Sequence, residues 1–202
     1  MNLRTELPTA ENSSNFNAVA DAVTKAGTTL ENLKAAVAGE TGASAKYAAF
    51  AKAAKEQGFD QLARLWEATS AAEQIHINLE ASLVEAEDPS YTRPTAEAPT
   101  PEAIDLNLIA SANGEIFETS DMYPTFIKKA QEEGHAKAVK VFTRAKLAEA
   151  VHAEKYLEAY NNIDAADDDA YYLCPGCGYI HKGDAFEKCP ICGVPKAKFQ
   201  RF

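Results

Sequence analysis

Residues 72–76, Ala72-Glu73-Gln74-Ile75-His76, and residues 148–152, Ala148-Glu149-Ala150-Val151-His152, carry one pattern twice, 76 residues apart. On a helix, Glu and His three positions apart share a face, one above the other. The same offset superimposes Tyr47 on Tyr123, Phe50 on Phe126, Lys52 on Lys128, Ala54 on Ala130, Glu56 on Glu132, Gly58 on Gly134 and Trp66 on Phe142. Alanine richness alone does not align glycine, aromatic, Glu and His at one shift. The body therefore reads as two copies of a helical hairpin.

Working outward, Thr28 with Glu31 forms a capping box opening a first helix that tolerates Gly39 and Gly42 and stops at Gly58. A second helix spans about 59–87 and ends at Asp88-Pro89. Pro89, Pro94 and Pro99 keep 88–100 from being helical throughout. Thr100 is expected to cap a third helix with Pro101 at its first position, ending at Gly134, and a fourth covers about 136–160. A short helix is expected over 15–25, within an N-terminal extension (1–27) of no assigned role. A helix of about 28 residues is roughly 42 Å long, and thirteen extended residues reach about 43–47 Å. Segment 88–100 thus runs the length of the bundle and links two antiparallel hairpins. That predicts an all-α ferritin-like four-helix bundle rather than simple up-and-down topology.

Glu40 lies 18 residues before Gly58 and Glu73 15 after it; Glu115 lies 19 before Gly134 and Glu149 15 after it. Each hairpin so brings a lone Glu and a Glu-x-x-His pair to similar heights, the recipe for a carboxylate-bridged di-iron or di-manganese site. Two divalent metals are balanced by Glu40, Glu73, Glu115 and Glu149, with His76 and His152 completing the shells; unpaired, four carboxylates in an apolar core are prohibitively costly. The competing reading makes them exposed surface glutamates. The flanks Ala36, Val37, Ala43, Leu65, Ala72, Ile75, Ala112, Ile116, Ala148 and Val151 are expected to be buried. Glu118 follows Glu115 by three and is either a fifth metal-facing carboxylate or an exposed helix residue. Because Glu40 and Glu115 are offset by 75 rather than 76, the third helix holds one extra residue, which predicts a π-bulge close to Pro124. Tyr47 and Tyr123, two turns beyond Glu40 and Glu115, either donate hydrogen bonds to ligand carboxylates or pack in the core. His135 and His181 are expected at the surface rather than as ligands.

The chain has 202 residues, 46% hydrophobic, with net charge −10. That disfavours nucleic-acid partners and basic membrane helices, and no apolar run of about 18 residues exists to span a bilayer. Arg4 and Glu6 are not followed by an apolar stretch, so no secretory signal is expected and the default compartment is the reducing cytoplasm. Residues 1–160 carry −9, an acidic linker 161–170 carries −4 and the module 171–202 carries +3. The module holds two Cys-x-x-Cys-Gly knuckles, Cys174, Cys177, Cys189 and Cys192, which predict a closed tetrathiolate iron or zinc site rather than disulfides.

At this point the sequence resembles the rubrerythrin family over about 28–202. The resemblance rests on Ala38-Gly39-Glu40, residues 68–76 ending in Glu73-Gln74-Ile75-His76, Gly114-Glu115 with Glu118, Met122-Tyr123-Pro124, Glu149-Ala150-Val151-His152 and the C-terminal rubredoxin-like knuckles. It implies a bundle domain over 28–160 and a rubredoxin-like domain over 171–202. It implies Glu73 and Glu149 bridging two irons, Glu40 terminal to one, Glu115 and His152 to the other, and Glu118 exchanging with His76 at the first. It further implies a non-haem di-iron peroxidase serving oxidative-stress defence. Hydrogen peroxide would go to water, with electrons passing from an NAD(P)H-dependent reductase or rubredoxin through iron at Cys174, Cys177, Cys189 and Cys192. Family members commonly form homodimers in which one subunit's module lies near the other's di-iron site. Competing functions are a ferroxidase or oxygen-reducing di-iron protein, and an electron-transfer protein with a structural zinc ribbon.

Overall fold

The computed structural model describes residues 23–163 and 167–202. Helices α1 (Thr29–Glu56) and α2 (Asp60–Glu87) form the first hairpin. The second pairs a composite helix with α5 (Ala136–Asn161): α3 (Ile104–Phe117) continues through a π-helical turn (Glu118–Met122) into α4 (Tyr123–Glu132). A small sheet follows, β1 (Tyr171–Leu173), β2 (Ile180–Lys182) and β3 (Gln200–Arg201), in the antiparallel order β2-β1-β3. The result is the expected ferritin-like bundle with a C-terminal cysteine module.

Local chemistry sets the boundaries. Glu31 N donates to Thr28 Oγ1 at 3.2 Å and Thr28 N to Glu31 Oε2 at 2.7 Å, closing the capping box. Both hairpin turns use glycine in the left-handed region, Gly58 at φ 82° and Gly134 at φ 70°, where a Cβ is strained. The third helix begins at Ile104, not at Pro101. Buried Asn107 takes the Glu102 N–H on its Oδ1 and donates its amide to Glu102 O, both at 3.0 Å, so the chain stays extended up to Ala103 and Thr100 caps nothing. The inserted residue is absorbed by the π-helical turn, whose closing bond runs from Tyr123 N to Glu118 O, immediately before Pro124. The crossover lies along α2: Arg93 Nε donates to Glu85 at 2.6 Å and its Nη1 to Asn78 at 2.7 Å.

Two apolar layers bracket a polar one. Tyr47, Leu65, Trp66, Leu108 and Tyr156 fill one end of the bundle, and Leu33, Val84, Phe126 and Phe142 the other. The buried Glu40 of α1, Glu73 of α2, Glu115 of α3 and Glu149 of α5 fall between these layers. Ile75 is only half-buried, because α2 turns it away from the buried Glu73–His76 face; the other expected flanks are buried. His181 is buried rather than at the surface, since Tyr179 Oη lies 3.0 Å from its Nδ1 and the Phe186 ring packs against it at a tilt, centroids 4.3 Å apart. His135 instead caps α5, accepting from Ala138 N at 3.1 Å. Of the helix expected over 15–25, residues 15–22 lie outside the described residues and 23–25 are irregular. Within the acidic linker, 164–166 also lie outside them. Among the described residues no helix is long and apolar enough to cross a membrane.

Removing the cap alone, as Thr28→Ala, is expected to lower stability by about 1 kcal/mol. A lower urea midpoint at unchanged slope is the corresponding readout.

Candidate metal centre

The seven ligand candidates come from both hairpins: Glu40 from α1, Glu73 and His76 from α2, Glu115 from α3, Glu118 from the π-helical turn, and Glu149 and His152 from α5. All are buried. Their donor atoms converge in two groups, Glu40, Glu73, His76 and Glu149, and Glu73, Glu115, Glu149 and His152, each within 4.8 Å of one another. Glu73 and Glu149 belong to both, the placement a bridging carboxylate needs. Glu118 falls outside both groups, although its carboxylate is buried and its Oε2 has no hydrogen-bond partner.

The two histidines are oriented alike. His76 Nδ1 lies 2.8 Å from Glu149 Oε1 and 3.0 Å from Glu73 Oε2; His152 Nδ1 lies 2.7 Å from Glu149 Oε2 and 3.3 Å from Glu115 Oε2. Their outer nitrogens reach the cysteine module, His76 Nε2 at 3.1 Å from Cys177 O and His152 Nε2 at 2.8 Å from Gly178 O. A carbonyl at Nε2 fixes the N–H there and leaves Nδ1 free to bind a metal. Gly178, at φ 78°, is required by this approach, because a Cβ would collide with His76 Nε2.

Two phenols hold the carboxylates of Glu115 and Glu40. Tyr47 Oη donates to Glu115 Oε1, and Tyr123 Oη donates to Glu40 Oε1. Tyr123 Oη also lies 2.9 Å from Oε1 of Glu80, a buried carboxylate on α2. The sequence reading missed Glu80, although it lies seven residues after Glu73, on the same face of α2 as the ligands.

Electrostatically the group is unbalanced. Burial, then Glu118, holds Glu40 well above the carboxylate range, and burial raises Glu115 to about 8. Glu149 goes the other way: burial opposes its charge, but His76 and His152 pull it down to about 2. Burial likewise opposes imidazolium at His76 and His152, yet Glu149 beside both outweighs it and holds them well above the usual imidazole range. Buried oxygens without a hydrogen-bond partner include Glu40 Oε2, Glu73 Oε1, Glu115 Oε2 and both oxygens of Glu149. So many orphaned acceptors facing one another fit cations, which two metal ions supply.

The second candidate site lies in the module. Cys174, Cys177, Cys189 and Cys192 bring their sulfurs within 4.8 Å of one another, with Cys174–Cys192 at 3.4 Å and Cys177–Cys189 at 3.5 Å. Cys192 N points at Cys189 Sγ (3.4 Å), and hydrogen bonds from Cys174 and Cys177 pull the Cys189 thiol down to about 2. Four sulfurs with no second coordinating residue type make a closed tetrahedral site. The module is pinned to α5 by Lys182 Nζ, 3.2 Å from Glu158 Oε1, and by Val151 packed against the knuckles.

Glu73→Ala is expected to empty the carboxylate–imidazole centre while the four-cysteine site keeps its ion. Metal content per chain is the readout, and retention of two ions at the bundle centre would remove Glu73 as a bridge.

Comparison with known proteins agrees with this geometry. Residues 31–160 match the rubrerythrin family model, and 172–200 match the model of the rubrerythrin rubredoxin-like domain. Nigerythrin of Nitratidesulfovibrio vulgaris is 66% identical over 202 residues, covering 100% of both chains. Rubrerythrin of the same organism is 34% identical over 184 residues, covering 87% of this chain and 95% of that one. A solved structure of nigerythrin in its fully reduced, all-ferrous state superimposes with a TM-score of 0.90 at 66% identity over 100% of both chains. With a family model spanning most of the bundle, a second covering the knuckles, and a relative matched end to end, the chain belongs to the rubrerythrin family.

Proposed function

We propose that this protein is a non-haem di-iron peroxidase that reduces hydrogen peroxide to water, fed with electrons by an NAD(P)H-dependent reductase or rubredoxin through its rubredoxin-like iron. The observation that carries the reading is the contact between the two sites. Cys177 contributes a sulfur to the tetrathiolate cluster, and its own carbonyl accepts from His76 Nε2 at 3.1 Å; Gly178 O accepts from His152 Nε2 at 2.8 Å. One short run of covalent and hydrogen bonds therefore joins a thiolate site to both imidazoles. A ferroxidase or mineral store has no use for a fused carrier seated on its histidines. When bound, the iron pair supplies the two electrons that peroxide cleavage consumes, and the thiolate-held iron supplies replacements singly.

The roles proposed for the chain's residues follow. Glu73 and Glu149 would bridge the two ions; Glu40 and His76 would hold one, Glu115 and His152 the other; Glu118 would serve as an alternative to His76 at the first. Tyr47 and Tyr123 fix the terminal carboxylates by donating to them. The apolar layers above and below keep bulk water from the centre. Nigerythrin is known in fully reduced, partially reduced and mixed-valent states, and this supports redox cycling of the same centres here.

A homodimer and a cytoplasmic setting belong to the same proposal. Uncrosslinked cysteines suit a reducing compartment. The module already lies on its own chain's bundle, so a dimer is not needed to bring the two sites together.

The deciding experiment mixes chemically reduced protein with hydrogen peroxide and follows reoxidation of both centres. Fast reoxidation by peroxide and slow reoxidation by oxygen are expected; the reverse order would assign the protein to oxygen reduction or iron oxidation. A colourless, zinc-loaded module would remove the electron route. Cys177→Ser is expected to abolish NADH-coupled turnover while sparing single-turnover oxidation of reduced protein. Undiminished coupled turnover would exclude the module as the route.

A further inference from the structure

We propose that Asp121 is a positioning residue that clasps the segment before α1 onto the π-helical turn and thereby fixes how far Glu118 stands from the carboxylate–imidazole centre. The consequence for iron rests on the role proposed for Glu118 above.

The turn Glu118–Met122 carries two buried carboxylates with different surroundings. Glu118 has one oxygen without a hydrogen-bond partner and belongs to neither group of converging donor atoms. Asp121, three residues on, collects three hydrogens on its Oδ2: from Val23 N at 3.0 Å, Thr24 N at 2.8 Å and Thr24 Oγ1 at 2.8 Å. Hydrogen bonds to an ionised carboxylate are roughly twice as strong as neutral ones. Burial opposes the charge on Asp121, but the Thr24 hydroxyl and the two amides outweigh it and hold the carboxyl below its ordinary value.

The clasped segment is itself anchored. Thr29 N donates to Glu133 Oε2 at 2.8 Å, just past the end of α4, and Gly27 N donates to Oδ1 of the buried Asn32 at 2.9 Å. Asp121 precedes α4 and Glu133 follows it, so residues 23–29 are bonded at both ends of that helix. From Asp121 to Glu133 the helix advances roughly 18 Å. The five steps from Thr24 to Thr29 reach about 17–18 Å at full extension, which lets the segment run alongside α4 from one anchor to the other. On its other side the turn is tied to α5, where Thr119 Oγ1 donates to Lys146 O at 2.9 Å. A π-helical turn is a rare one-residue excess in an α-helix, and these bonds from two directions set where it sits.

The duplicated body contains an internal control. Shifted by 76 residues, Glu118 falls on Gly42 and Asp121 on Ala45, both within the uninterrupted helix α1. The half without the extra carboxylate also lacks the clasp. Asp121 belongs to neither group of converging donor atoms, so its effect on the centre passes through the backbone of the turn to Glu118. A carboxylate that alternates with His76 must be kept near the centre without being held there throughout. The clasp sets that reach.

The test uses the full-length, iron-loaded protein and the variants Asp121→Ala, Thr24→Val, Glu118→Ala and Glu118→Ala with Asp121→Ala. Thr24→Val keeps the shape of the side chain and deletes one donor. Hydrogen–deuterium exchange over residues 118–123 is expected to be at least about tenfold faster in Asp121→Ala and about threefold faster in Thr24→Val, with α2 unchanged. Mössbauer spectra of the chemically oxidised protein are expected to change at one iron in Asp121→Ala, at unchanged iron content. The double variant is expected to match Glu118→Ala, as it must if Asp121 acts through Glu118. Unaltered exchange over the turn, an unaltered iron spectrum, iron loss in Asp121→Ala that Glu118→Ala does not share, or a further spectral change in the double variant would overturn the assignment. If Asp121→Ala does not fold, Thr24→Val, alone and combined with Glu118→Ala, decides by the same criteria. None of these readouts uses peroxide. Failure of the wild type to react with peroxide would refute the peroxidase reading and leave the exchange and iron spectra to judge Asp121.

Discussion

Six glutamates from four helices, Glu40, Glu73, Glu80, Glu115, Glu118 and Glu149, are buried in the middle of this bundle with only two histidines among them. Burying an ionised carboxylate costs several kcal/mol even after relaxation, and no folded protein bears that cost six times without compensation. The bundle is organised around that compensation. The imidazoles of His76 and His152 meet Glu73 and Glu149, where two metal ions would complete the balance; phenolic hydrogens meet one oxygen each of Glu40 and Glu115; Tyr123 Oη also reaches Glu80 Oε1 at 2.9 Å. In the rubrerythrin family the cations are two irons, and the orphaned oxygens that face one another here are the acceptors such ions satisfy.

This constraint explains the layering. A polar slab of this charge must be sealed, or water would screen the carboxylates and loosen the geometry. Trp66 packs edge-on to Phe50 and tilted against Tyr156 at one end, with Trp66 Nε1 satisfied by Ser111 Oγ at 2.9 Å; Tyr123 and Phe126 pack tilted against Phe142 at the other. Because the ligand candidates come from α1, α2, α5 and the composite third helix, none of these can shift without breaking the set. The fold and the site specify each other.

How much of this is legible in the sequence depends on whether the cause is local. The Thr28–Glu31 cap, the Gly58 and Gly134 turns and the paired Glu-x-x-His motifs each act within one or two turns, and their positions can be read directly. The π-helical turn is legible because duplication provides a ruler: one residue too many between Glu115 and Tyr123 has to be absorbed somewhere. The start of the third helix is not, because a buried side chain, Asn107, outcompetes a good capping sequence at Thr100-Pro101 for the backbone of Glu102. Glu80 escapes for the opposite reason. Reading the site through the repeat favours residues that match, and Glu80 departs from its counterpart Tyr156. The burial of His181 depends on Tyr179 and Phe186 closing over it, and a spacing rule has no access to that.

The placement of the module follows from the same physics. Each histidine must present Nδ1 to the carboxylates, so each has an Nε2–H pointing out of the bundle that needs an acceptor in a place water should not enter. The Cys177 and Gly178 carbonyls, at the tip of one knuckle, are those acceptors. A residue with a Cβ at Gly178 would hold the knuckle away from His76, and the left-handed backbone there also turns the chain toward β2. The hydrogen bonds that orient the imidazoles are thus the ones that bring a tetrathiolate iron site against them. A carrier placed elsewhere would leave two buried N–H groups unsatisfied. Positioning the ligands and connecting the redox centres are, in this structure, a single requirement.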